Sequence, residues 1–87
     1  MGEQLFEGKV LHSETKPRGC GGLITLLLLS NSINGGNPVK FSLPGRHRID
    51  CGELLRIRYE QFSQVNWISS YDILKKGKVV YSDMAAD

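Results

Sequence analysis

Four side chains are of the types that bind zinc: His12, Cys20, His47 and Cys51. Zinc in proteins is held in tetrahedral sites by histidine nitrogen and cysteine sulfur. No two of these residues have the short spacing of a zinc-finger ligand pair, and neither cysteine belongs to a Cys-x-x-Cys motif. We therefore expect no metal and no cofactor, and both cysteines as reduced thiols.

The sequence carries no recognisable catalytic motif. Gly-x-Ser-x-Gly and Gly-x-x-x-x-Gly-Lys are both absent. The glycine-rich stretch Gly19–Gly22 precedes a predicted strand, so it lacks the helix N-terminus that binds phosphate. Asp50 and Glu53 lie in a predicted polar connector. We therefore predict that the protein is not an enzyme.

Basic residues cluster in the middle of the chain. The whole chain has a net charge of +2, whereas residues 40–58 contain five basic residues against two acidic ones, a local charge of +3. Clustered cations bind phosphates through electrostatic attraction and counterion release. The alternative is that they only solvate the outer faces of strands. The candidate phosphate ligands are Lys40, Arg46, Arg48, Arg56 and Arg58, together with Lys16 and Arg18 near the first glycine-rich loop.

Two aromatic residues are candidates for stacking on bases. Phe62 and Trp67 lie at and after a predicted loop, and exposed aromatic rings provide stacking platforms for single strands. Trp67 has a second interpretation, as a large side chain that fills the protein core. Phe41 and Tyr59 alternate with aliphatic residues, so we expect both in the core.

Apolar residues recur mainly at every second position, which predicts strands. The predicted strands lie within residues 3–13, 23–30, 39–43, 51–60, 65–74 and 79–81, and residues 34–37 (Asn-Gly-Gly-Asn) predict a hairpin turn. No amphipathic helix of ten residues is visible. The 87 residues therefore predict a single all-β domain, a small five- to six-stranded closed or partly open barrel. Its core would span roughly residues 4–82, and residues 83–87 would form a frayed tail.

The most apolar stretch, Leu23–Leu29, has seven residues, far short of the about 20 that a membrane-spanning helix needs. We expect a cytoplasmic protein with no membrane partner. The run is nearly continuous in apolar residues, so its periodicity does not say which leucines face outward. An outward-facing pair, either Leu27 and Leu29 or Leu26 and Leu28, would form an apolar patch for a protein partner or a homodimer.

The order of strands, glycine-rich loop, hairpin and polar connector resembles the OB-fold, and residues 47–57 resemble the entry into its fourth strand. Sm-like and SH3-like barrels have similar strand counts. The OB resemblance implies a ligand surface on strands two and three, flanked by the loops between strands one and two and between strands four and five. It also implies that His12, Cys20, His47 and Cys51 share one end of the barrel, where Cys20 and Cys51 could form a disulfide.

Two functional hypotheses follow. The first is a non-enzymatic OB-like module that binds single-stranded nucleic acid through one basic face formed by the clustered cations, with Phe62 or Trp67 stacking on bases. The alternative is an OB-like protein-interaction or oligomerising subunit that uses the apolar strand Leu23–Leu29.

Overall fold

The computed structural model describes residues 2–19, 21–31 and 36–85, which form six strands and no helix. Their bounds are β1 (Gln4–Pro17), β2 (Leu23–Asn31), β3 (Gly36–Pro44), β4 (Leu54–Phe62), β5 (Val65–Lys75) and β6 (Lys78–Met84). The fold is therefore all-β, as predicted.

The strands form one sheet in the order β3-β2-β1-β4-β5-β6. A short parallel pairing of β3 with β5, at Ser42 and Trp67, closes the first five strands into a barrel. Strand β6 lies outside the barrel and pairs antiparallel with β5. This arrangement confirms the small closed barrel and is consistent with the OB-like resemblance.

Strand β1 is shared between two parts of the barrel wall. Its first half, Gln4 to Lys9, pairs with β4, and its second half, Val10 to Pro17, pairs with β2. The register with β2 shifts between Val10 and His12; such an irregularity bends a strand and increases its twist. The long strand therefore turns from one part of the wall to the other.

The barrel interior is filled by residues that alternate along the strands. Phe41 lies between Phe6 and Tyr59, with ring centroids 5.0 Å apart in both pairs. The largest fully buried side chain is Tyr71. The inward positions predicted for β3 and β4 are confirmed, because Phe41, Leu43, Leu55 and Ile57 are buried and Val39 and Tyr59 pack against them.

The connector between β3 and β4 is not the purely polar segment that the sequence predicts. It contains no helical turn, and His47 and Ile49 are buried at one end of the barrel. The fully buried Thr25 hydroxyl secures it, donating to the Gly45 carbonyl (2.9 Å) and accepting from the His47 backbone N–H (3.2 Å). The connector is therefore part of the core.

Several strands are longer than expected. Strand β1 continues to Pro17, so Thr15 and Lys16 belong to a strand and not to the first loop. Strand β6 continues to Met84, and the Ala85 backbone N–H donates to the Ser69 carbonyl (2.8 Å). The predicted frayed tail is therefore wrong at residues 83–85. Of the predicted hairpin, Asn34 and Gly35 lie outside the described residues.

Gly8 lies where β1 passes the end of β2, close to Ser30. A methyl group at Gly8 would overlap the backbone carbonyl oxygen of Ser30. We expect Gly8→Ala to lower the free energy of unfolding by about 1–3 kcal/mol, because the backbone must shift to admit it. Denaturant unfolding measures the change. Gly2→Ala is the control, since a methyl group there meets nothing within 4 Å; equal stability of the two variants would contradict the prediction.

Candidate ligand-binding groove

The second half of β1, together with β2 and β3, presents three rows of side chains on the outside of the barrel. Cross-strand pairing places His12 beside Leu28 and Leu28 beside Lys40. The next row contains Glu14, Leu26 and Ser42, and the third contains Lys16, Ile24 and Pro44. An apolar stripe on β2 therefore runs between two strands whose outward side chains in these rows are polar, apart from Pro44.

The first two rows and Lys16 line an open groove of about 520 Å³. The β4–β5 hairpin borders it through Gln64, Val65 and Asn66. The Asn66 side-chain amide donates to the Lys40 carbonyl (3.0 Å), which ties the hairpin to β3. This is the surface on strands two and three that the OB resemblance implies.

The structure decides which leucines of β2 face outward. Leu27 and Leu29 are 2 % and 0 % exposed and belong to the core, so they cannot serve in the predicted interface. Leu26 and Leu28 are half-buried and line the groove. Of the two predicted pairs, Leu26 and Leu28 are therefore the outward one.

Three of the predicted phosphate ligands lie at or beside the groove. Lys16 and Lys40 line it from β1 and β3. Arg18 follows β1, and its guanidinium carbon lies 5.9 Å from the centroid of the Trp67 ring, within the range of a cation–π interaction. Glu14 is the one carboxylate among the described groove-lining residues, and its Oε1 lies 3.3 Å from His12 Nε2.

Arg46 and Arg48 lie elsewhere, on the connector between β3 and β4. They are exposed and border a separate cavity of about 300 Å³. Its other lining residues are His47, Tyr71, Ile73, Tyr81 and Asp83.

Arg56 and Arg58 lie on the outside of β4, between β1 and β5, away from β2 and β3. The Arg58 guanidinium forms an ion pair with buried Asp72 (3.2 Å) and donates to the Ser70 hydroxyl (3.2 Å). The five basic residues between positions 40 and 58 therefore do not lie on one face of the barrel. The prediction of a single basic face is wrong for this set. Arg58 in particular has a structural partner.

The two predicted stacking residues occupy different environments. Phe62 is 71 % exposed at the end of β4 and pairs across the hairpin with groove-lining Val65. Trp67 is half-buried on the outside of the barrel at the β3–β5 pairing. It does not fill the core, a position held by Tyr71 and Phe41.

The described zinc-type residues do not converge. His12 contacts Glu14, buried His47 contacts Tyr71, and the exposed Cys51 thiol donates to the Leu11 carbonyl (3.5 Å). Within the described ranges, no three His, Cys, Asp or Glu side chains are close enough to hold a metal ion. Cys20 lies outside the described residues, so its part in the implied zinc site or disulfide stays a prediction.

The environment of His47 was missed by the sequence analysis. Its Nε2 lies 3.1 Å from the Pro44 carbonyl, which can only accept, so Nε2 carries a proton. In the neutral ring Nδ1 accepts from the Tyr71 hydroxyl (3.0 Å), with an Asp83 oxygen 3.6 Å away. Burial, reinforced by Asp83, raises the pKa of Tyr71 above its ordinary value. The available signal was the alternation of His47 and Ile49 with three charged neighbours.

Comparison with known proteins finds no matching family model, no similar curated protein and no similar solved structure. Among the described residues, no helix has the length and apolarity needed to cross a membrane.

The Arg58–Asp72 pair predicts a pH-dependent contribution to stability. The Ser82 hydroxyl (2.7 Å) and the Arg58 guanidinium lower the pKa of Asp72. A carboxylate with a lowered folded-state pKa stabilises the fold above its unfolded pKa of about 4, and that contribution disappears as the pH falls through the folded pKa.

We therefore expect Asp72→Asn to lower the free energy of unfolding by about 1–3 kcal/mol at pH 7, since it removes charged hydrogen bonds. The loss should shrink toward pH 2. Urea unfolding at pH 7, 5, 3 and 2 measures it, with exposed Asp50→Asn as the control. A difference between wild type and Asp72→Asn that is independent of pH would contradict the assignment.

Proposed function

We propose that the protein binds single-stranded nucleic acid in the groove formed by β1, β2 and β3. The observation that carries the proposal is an open groove with an apolar floor and a lysine on each side strand. Leu26 and Leu28 provide the floor, and Lys16 and Lys40 flank it. A single-stranded nucleic acid exposes apolar base faces next to charged phosphates. It therefore binds where exposed apolar and aromatic surface lies next to cations.

Each part of the groove has a role in this proposal. Lys16, Lys40 and Arg18 contact phosphates, while bases lie on the leucine floor and stack on exposed Phe62. Trp67 is partly covered by Arg18, so a base reaches its ring only if Arg18 moves onto a phosphate. Stacking and phosphate contacts tolerate any base, so we expect little sequence preference.

A second candidate is an extended peptide with apolar side chains in the same groove. Leu26 and Leu28 favour it, because half-buried leucines suit an apolar side chain as well as a base. Glu14 also favours it, since a carboxylate repels phosphate. The two candidates differ in how strongly salt weakens binding.

The decisive experiment compares two double variants that remove the same charge from different places. In Lys16→Gln/Lys40→Gln both changes lie in the groove, and in Arg46→Gln/Arg48→Gln both lie on the connector. A labelled mixed-sequence oligonucleotide of about 12 nucleotides is titrated by fluorescence anisotropy at about 50 and about 200 mM salt.

Wild type should show a slope of log K against log salt near −2, because three phosphate contacts contribute about −0.7 each. The groove variant should bind about tenfold more weakly at low salt, with a slope near −0.7. The connector variant should stay close to wild type. Equal weakening of both variants would mean that only net charge matters, and no measurable binding would leave the peptide candidate.

Phe62 provides a separate test of base stacking. Phe62→Ala should weaken oligonucleotide binding by about 5- to 150-fold, the equivalent of about 1–3 kcal/mol for one stacked base. Leu5→Ala is the matched control, because Leu5 is 69 % exposed, almost as much as Phe62, but lies on the half of β1 that pairs with β4. If the two variants bind equally well, Phe62 does not stack on the ligand.

A further inference from the structure

Strand β6 is the outermost strand of the sheet and pairs only with β5 among the described strands. Its side chains are mostly exposed, yet many are apolar. Val79, Val80, Tyr81 and Met84 are 49 %, 57 %, 50 % and 70 % exposed. The strand has no proline, and its one lysine is its first residue. Such an edge lacks most of the features that prevent strands of different chains from pairing.

The free backbone groups of this edge can be assigned. Residues of an antiparallel ladder alternate between those bonded to the neighbouring strand and those directed away from it. The bond from the Ala85 N–H to the Ser69 carbonyl (2.8 Å) fixes that alternation. The register with β5 is regular from Met84 to Tyr81, so Tyr81 and Asp83 bond to β5. Ser82 and Met84 therefore direct their backbone groups outward.

Charge along the edge favours one kind of partner. The strand is preceded by Lys75 and Lys76 and begins at Lys78, while Asp83 lies near its other end. Two copies paired antiparallel place the basic end of each strand toward the acidic end of the other. A parallel pair would place lysines beside lysines, which is destabilising.

We propose that β6 pairs antiparallel with β6 of a second copy of this chain, across a two-fold axis at Ser82. This register bonds the outward backbone groups of Ser82 to those of its counterpart. It also places Val80 of each copy opposite Met84 of the other, and Tyr81 opposite Asp83. A two-fold interface uses the same surface on both copies, and this edge is self-complementary in charge, in backbone groups and in apolar side chains.

The expected dimer is weak and dissociates on dilution. A seven-residue strand pair buries less than the about 1,200 Å² of a stable interface. We therefore expect a dissociation constant of about 10–500 μM. The groove lies on β1 to β3, so this dimer leaves the proposed nucleic-acid surface open.

The test is sedimentation velocity of wild type and four variants between about 5 μM and about 1 mM, concentrations that bracket the expected constant. Ser82→Pro removes the outward N–H, whereas Ser82→Ala removes only the hydroxyl that donates to Asp72. Proline is tolerated on an edge strand where its nitrogen faces solvent. Circular dichroism and thermal unfolding verify that both variants fold.

Wild type and Ser82→Ala should dimerise alike, and Ser82→Pro should raise the dissociation constant at least tenfold. Met84→Lys should also weaken the dimer, which keeps the proposal testable if Ser82→Pro does not fold. A wild type that stays monomeric at about 1 mM would overturn the proposal. So would a dimer that survives both Ser82→Pro and Met84→Lys but is lost in Leu28→Ser, because it would use the groove face.

Discussion

The structure depends on one strand serving two parts of the barrel wall. Between Lys9 and His12, β1 leaves β4 and joins β2. The Val10 N–H donates to the Glu53 carbonyl, and the Val10 carbonyl accepts from the Gly52 N–H, both at 2.8 Å. These bonds keep the backbone satisfied where the partner changes. The bend curves the barrel wall. It also places the second half of β1, and not the first half, beside the outward leucines of β2.

The sequence predicts the barrel well because most strands have one buried and one exposed face. Alternation along β3 and β4 assigns Phe41 and Ile57 to the interior correctly. Strand β2 is apolar on both faces, so periodicity cannot separate Leu27 from Leu28. Which leucines face inward depends on Thr25, because every second residue of the strand faces the same side. Thr25 is polar, yet it is buried because its hydroxyl bonds to Thr15, Gly45 and His47. Those partners come from distant positions, so no local pattern reveals them.

The candidate site is predicted less well, because charges adjacent in sequence separate around a closed wall. Lys40 and Arg58 belong to one basic segment, yet they stand on strands that are not neighbours. Asp72, which binds Arg58, comes from β5 and could not be identified from β4 alone. Strand order brings Lys16 and Lys40 to the groove on strands two and three, with Arg18 beside it, and leaves Arg46, Arg48, Arg56 and Arg58 on other parts of the barrel.

Strand β6 buries little of its own surface, yet it is part of the fold through polar contacts. The Asp83 carboxylate accepts from the Met84 backbone N–H (2.8 Å) and the Tyr81 hydroxyl (3.0 Å), which lower its pKa. It also lies near His47, whose ring is buried against Tyr71. The strand therefore places a carboxylate next to the buried His47 and Tyr71 side chains. Because the backbone groups of Tyr81 and Asp83 bond to β5, the backbone groups left for another chain are those of Ser82 and Met84. The same alternation that fastens β6 to its own barrel therefore leaves its outer edge free.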